Sequence, residues 1–88
     1  MNLTEFKLKT TIAGVVSGFQ HLYYQHAESP LEPDVITKAF TEARSKLDGI
    51  NLLFEPGSKI ARFIYRNQQE LNGLYRLCNS TQFRKKVA

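Results

Sequence analysis

SKIARFIYRNQQELNGLYRLC, residues 58–78, decides the fold. Ile60, Phe63, Ile64, Leu71, Leu74 and Cys78 recur at helical spacing, so on a helix they share one inward face. Arg62, Arg66, Gln69, Gly73 and Arg76 form a second stripe that faces water. Such opposed stripes describe an amphipathic helix that packs one side on a core. Ser58 is a good capping residue directly ahead of Lys59, and Glu55-Pro56-Gly57 before it is turn chemistry. The spacing predicts a helix from Lys59 to about Cys78.

Upstream, Ser29-Pro30-Leu31-Glu32-Pro33 breaks one helix and begins another, because proline suits a first helical turn. A helix from about Pro33 buries Val35, Ile36, Ala39, Phe40, Ala43 and Leu47. Gly49 is a natural C-terminal stop, with Ile50 placed for the hydrophobic contact that often follows one. Residues 50–55 read three ways: a helical turn, a strand-like connector, or a plug over the core. The first helix is expected from about Leu3 to His26, with Asn2 and Glu5 placed as a capping box. Leu8, Ile12, Val15, Val16, Phe19, Leu22 and Tyr23 form its apolar stripe. Gly14 and Gly18 within it suggest close approach of a neighbouring helix, or a bend. The fold class is therefore all-α, a small antiparallel bundle of three long helices, with a short fourth if residues 50–55 form one.

A chain of 88 residues with 42% hydrophobic and 23% charged residues is one globular domain with one modest core. Residues 79–88 are expected to be a basic flexible tail. The lone Cys78 excludes an internal disulfide and a thiolate metal cluster, and fits a reducing compartment. The only early apolar run, Ile12 to Phe19, is interrupted by Ser17 and two glycines. It is too short for the roughly twenty residues of a membrane span and does not read as a signal peptide. A cytoplasmic location is expected.

Charge is unevenly placed. Residues 1–58 carry five cations against seven acids, net −2, whereas residues 59–88 carry seven cations against Glu70 alone, net +6. That field favours an anionic partner. Arg62, Arg66 and Arg76 are thus either a solvated helix face or an electrostatic binding face. His21 and His26 lie about 140° apart on a helix and cannot share a metal, so two surface histidines are expected. No paired carboxylates, nucleophile–base arrangement or phosphate-cradling loop is visible, so no catalytic residue, cofactor or metal is expected and the chain does not read as an enzyme. Cys78 closes an apolar stripe and reads as a small core residue rather than a reactive thiol. Tyr23, Tyr24, Tyr65 and Tyr75 read as core or rim, with Tyr75, between Gly73 and Arg76, the one placed to do more.

Leu71-Asn72-Gly73-Leu74-Tyr75-Arg76 followed by Thr81-Gln82-Phe83 resembles the C-terminal end of the immunity proteins for class IIa (pediocin-like) bacteriocins, in the enterocin A immunity group. Glu55-Pro56-Gly57, with Ile60 and Arg62 behind it, is similar to that family's lead-in to its third helix, and His21-Leu22-Tyr23 is a vaguer likeness. These matches cover about a quarter of the chain. The resemblance implies an antiparallel four-helix bundle, although the segment after Pro56-Gly57 has room for only one full helix. It implies a cytosolic protein that protects its producer from a pore-forming peptide. Recognition would be of the bacteriocin with its receptor, membrane components of the mannose phosphotransferase system. The family's C-terminal half selects the toxin, and the matched positions here are Asn72, Gly73, Leu74, Tyr75, Arg76, Gln82 and Phe83. Phe83 beside Arg84, Lys85 and Lys86 has the apolar-plus-basic character of an interfacial contact, and a basic end suits an anionic inner membrane face.

The expected binding residues are therefore Arg62, Arg66, Asn72, Gly73, Leu74, Tyr75, Arg76, Gln82, Phe83, Arg84, Lys85 and Lys86. Two readings compete with immunity. One is a small nucleic-acid-binding regulator, motivated by the +6 segment. It is opposed by the lack of helix-turn-helix spacing around Gly49 and by the acids on the second helix. The other is an adaptor that pairs through the Gly14/Gly18 face.

Overall fold

The computed structural model describes residues 3–79 and contains three α-helices: α1 Leu3–Glu28, α2 Pro33–Asn51 and α3 Lys59–Cys78. No strand occurs among the described residues. All three helix pairs pack on one another. The Oγ1 of Thr37, early in α2, lies 3.1 Å from the hydroxyl of Tyr75, late in α3. Gln68 Nε2, near the middle of α3, donates to Asp48 Oδ1 late in α2 at 2.7 Å. The two helices therefore run antiparallel. The bundle is the all-α architecture that the stripes predict, with three helices and no fourth among the described residues.

α3 starts where its signals place it. Pro56 and Gly57 occupy the centre of a tight turn in which Ser58 N donates to the Glu55 carbonyl at 3.2 Å. Gly57 has φ of 87°, the left-handed value that this position of a type II turn demands and that a side chain resists. The turn delivers Ser58, whose Oγ accepts from Ala61 N at 3.1 Å and caps the helix. Buried Ile60, Ile64, Leu71 and Cys78 then follow, and Asn67 occupies the same buried face. Asn67 is tolerated there because its Nδ2 donates to the Phe63 carbonyl at 2.9 Å.

The core joins Ile12, Val16 and Phe19 of α1 to Ile36, Ala43 and Leu47 of α2 and to the α3 stripe. One aromatic column spans all three helices. Phe19 meets Phe40 edge-on at 6.0 Å between ring centroids, and Phe40 stacks on Tyr75 at 4.0 Å and 7°. Stacked and edge-to-face pairs of this kind add roughly 0.5–1.5 kcal/mol beyond their burial.

Five expectations need correcting. α2 does not stop at Gly49: Leu52 N still donates to the Asp48 carbonyl at 3.1 Å. Ile50 packs against the core there, and its burial carries the helix onward. Residues 52–58 form a turn, and Leu52 and Leu53 stand in solvent instead of plugging the core. Val35 is exposed, so Ile36 alone holds that turn of α2 inward. A Cβ built on Gly14 or Gly18 meets nothing within 4 Å, so these glycines admit no close neighbour. They border a shallow groove between α1 and α2. His26 is not a surface histidine: it is buried, and its Nδ1 accepts from Leu31 N at 2.9 Å, fastening the α1–α2 connection. The Asn2 cap and the tail from Ser80 onward lie outside the described residues.

Candidate functional site

α3 divides the expected binding residues into two groups. Arg62, Arg66 and Arg76 are exposed on the side opposite Ile64 and Leu71. None has an ion-pair partner among the described residues, where the ion pairs are Lys9–Glu5 at 3.6 Å and Arg44–Asp48 at 4.0 Å. The arginine stripe is therefore free to meet an anion. Gln69 shares the exposed stripe, whereas Gly73 does not face water fully; it is half-buried with its neighbours.

The Asn-Gly-Leu-Tyr-Arg segment is mostly packing. Leu71 is fully buried, and Leu74 and Tyr75 lie half-buried against the core. Tyr75 gives one ring face to Phe40 and its hydroxyl to Thr37. Its backbone carbonyl accepts from Asn79 Nδ2 at 3.0 Å, closing the helix end. Asn72 is half-buried, and Arg76 is the one exposed member of the segment. Gln82, Phe83, Arg84, Lys85 and Lys86 lie outside the described residues.

A broad concavity lies elsewhere on α3. An open cleft of about 760 Å³ runs between the α2–α3 turn and the first two turns of α3. Leu52, Phe54, Ala61 and Tyr65 supply its apolar surface, and Arg62 and Arg66 its charge. Leu52 is 86% exposed and Tyr65 61% exposed. Phe54 is half-buried and ties the turn to the core. Arg62 and Arg66 are four apart and so project from the same side of the helix. The pairing of apolar surface with unneutralised cations suits a partner that is both anionic and apolar. Reading by sequence finds the arginines but not Leu52, which lies in a segment left open among three readings, nor Tyr65, which reads as core or rim. Of the seven residues after Asn51 only Phe54 and Ser58 are half-buried, and Phe54 is the apolar one that packs on the core.

Cys78 is 3% exposed, and burial pushes its thiol above the ordinary value of 9.0. The folded state thus favours the protonated form. That contribution is complete below the ordinary value and is lost as the pH rises through the raised one. Little thiolate forms at neutral pH, so iodoacetamide is expected to label the native chain at least about tenfold more slowly than the urea-unfolded chain. Equal labelling rates, read by mass spectrometry, would remove Cys78 from the core.

Among the described residues no group of three metal-ligating side chains is assembled. No described helix is long and apolar enough to cross a membrane. Comparison with protein-family models, with curated proteins and with solved structures gave no match to this chain.

Proposed function

We propose that this chain is an immunity protein of the class IIa bacteriocin type, acting by binding and without catalysis. Its partner is the complex of a pore-forming peptide with its receptor, components of the mannose phosphotransferase system, at the inner membrane face. Support comes from the Asn72-Gly73-Leu74-Tyr75-Arg76 and Thr81-Gln82-Phe83 segments and from an antiparallel helical bundle that carries the first of them. The observation that carries the reading is the row of exposed, unpaired arginines on α3, set beside an open apolar cleft. The packed state of Leu74 and Tyr75 refines it. In this reading Arg62, Arg66 and Arg76 make the contact, and the Leu-Tyr pair holds α3 in place to present them.

The test is to express the chain in a sensitive strain and challenge it with several class IIa peptides. Survival should rise for at least one peptide, and Arg62→Glu with Arg66→Glu should remove that gain while the helical content of the purified variant is unchanged. Unaltered killing by every peptide would overturn the proposal.

A further inference from the structure

Leu52 and Leu53 are the two most exposed large apolar residues among those described, at 86% and 76%. They are adjacent, lie in a turn and not on a helix face, and open in different directions. Leu52 borders the cleft with Tyr65, Arg62 and Arg66. Leu53 borders a separate groove of about 300 Å³ with Val15, Lys46 and Ile50, between α1 and α2. A peptide seated in the cleft would cover Leu52 and leave Leu53 in water. Only a broad surface covers both.

We propose that the α2–α3 turn is a membrane-docking tip. Leu52 and Leu53 enter the boundary between headgroups and acyl chains of an anionic bilayer, and lipid phosphates are held by Arg62 and Arg66 at the cleft and by Lys59 at the start of α3. The backbone is prepared for this. Leu52 N, Leu53 N, Phe54 N and Ser58 N all donate within the turn, to Asp48, Ile50, Asn51 and Glu55 carbonyls at 3.0–3.2 Å. Apolar surroundings penalise unbonded amides, and these amides are already bonded. Tyr65, 61% exposed, brings the amphipathic ring that favours the interfacial layer. The turn carries one carboxylate, Glu55, and none of the three cations is ion-paired among the described residues. Cations beside a bilayer gain from anionic lipid, and an apolar anchor with a basic flank is the usual composition of an interfacial contact. The chain's own C-terminal segment does not suit the cleft, because Arg84, Lys85 and Lys86 repeat its sign. The same segment adds to attraction toward the bilayer.

The proposal rests on the membrane-face reading for its choice of surface, yet it is measured without toxin or receptor. The full chain is mixed with vesicles of phosphatidylcholine alone and of phosphatidylcholine with phosphatidylglycerol, and co-sedimentation is followed. Binding is expected on the anionic vesicles, at least about tenfold weaker for Leu52→Ser with Leu53→Ser, since each buried leucine side chain is a major part of interfacial affinity. The sequence has no tryptophan, so Leu52→Trp places a unique fluorophore at the tip. Its emission should shift to the blue on anionic vesicles. No vesicle binding at low salt would overturn the proposal. So would vesicle binding that the double serine variant retains, which would assign it to the tail. So would affinity for an acidic peptide with none for vesicles. Protection from bacteriocin without vesicle binding removes the docking tip alone; vesicle binding without protection removes the immunity reading alone.

Discussion

Leu71→Ala is expected to lower stability by about 3 kcal/mol, because a buried leucine cut to alanine loses its transfer energy and leaves a cavity. Leu71 is fully buried, on the helix that packs against both of its neighbours. A domain of this size holds roughly 5–10 kcal/mol in total, so the change removes a large share of it. Thermal unfolding followed by circular dichroism should show a midpoint lowered by about 15 °C, since a kilocalorie is worth several degrees in a chain this short. Ile64→Ala, also at a fully buried position, should behave alike. By contrast Arg62→Gln, on the exposed face, should stay within about 0.5 kcal/mol of the parent. A loss below about 1 kcal/mol for Leu71→Ala would mean that α3 is not seated as described, because even a well-relaxed site loses more than that.

The same contrast explains what could be read without the structure. α3 is legible to the residue because two independent signals agree there: Ser58 caps it, and the apolar stripe from Ile60 to Cys78 runs on its buried side. α2 is legible at its start, where Pro33 lies in the first turn, and misleading at its end. A glycine stops a helix by taking a left-handed backbone, but Gly49 does not take one, and only Gly57 does. The helical glycine costs about 1 kcal/mol relative to alanine, and the burial of Ile50 one residue on is of comparable or larger worth. His26 was hidden for a different reason. Its partner is the amide of Leu31, across a connection whose path no periodic pattern specifies. Among the candidate binding residues, charge pattern alone finds Arg62, Arg66 and Arg76, since cations opposite an apolar stripe must face outward. The exposure of Leu52 and Leu53 follows from the geometry of a turn, which composition does not reveal.

Tyr75 is where motif and packing make different claims, and substitution separates them. Tyr75→Ala should cost about 2–3 kcal/mol: it removes the stacked contact with Phe40, part of the burial of both rings, and the bond with Thr37. Tyr75→Phe keeps the stack and loses only a hydroxyl bond at an exposed position, so it should cost no more than about 1 kcal/mol. Urea unfolding gives both values. Phe40→Ala should reproduce most of the Tyr75→Ala loss, and the double variant should lose less than the two singles added together, because both delete one shared contact. Under the immunity function proposed above, if Tyr75 serves the bundle, protection from bacteriocin would fall with stability in Tyr75→Ala and persist in Tyr75→Phe. If, under the same proposal, its hydroxyl itself recognises a partner, Tyr75→Phe would abolish protection at nearly full stability. The stack on Phe40 at 4.0 Å favours the first outcome, since a ring covered on one side and bonded at its tip has little left to offer a partner. The segment that carries the family likeness would then act at one remove, fixing the end of α3 so that Arg76, and the arginines two turns and more before it, stand on one face.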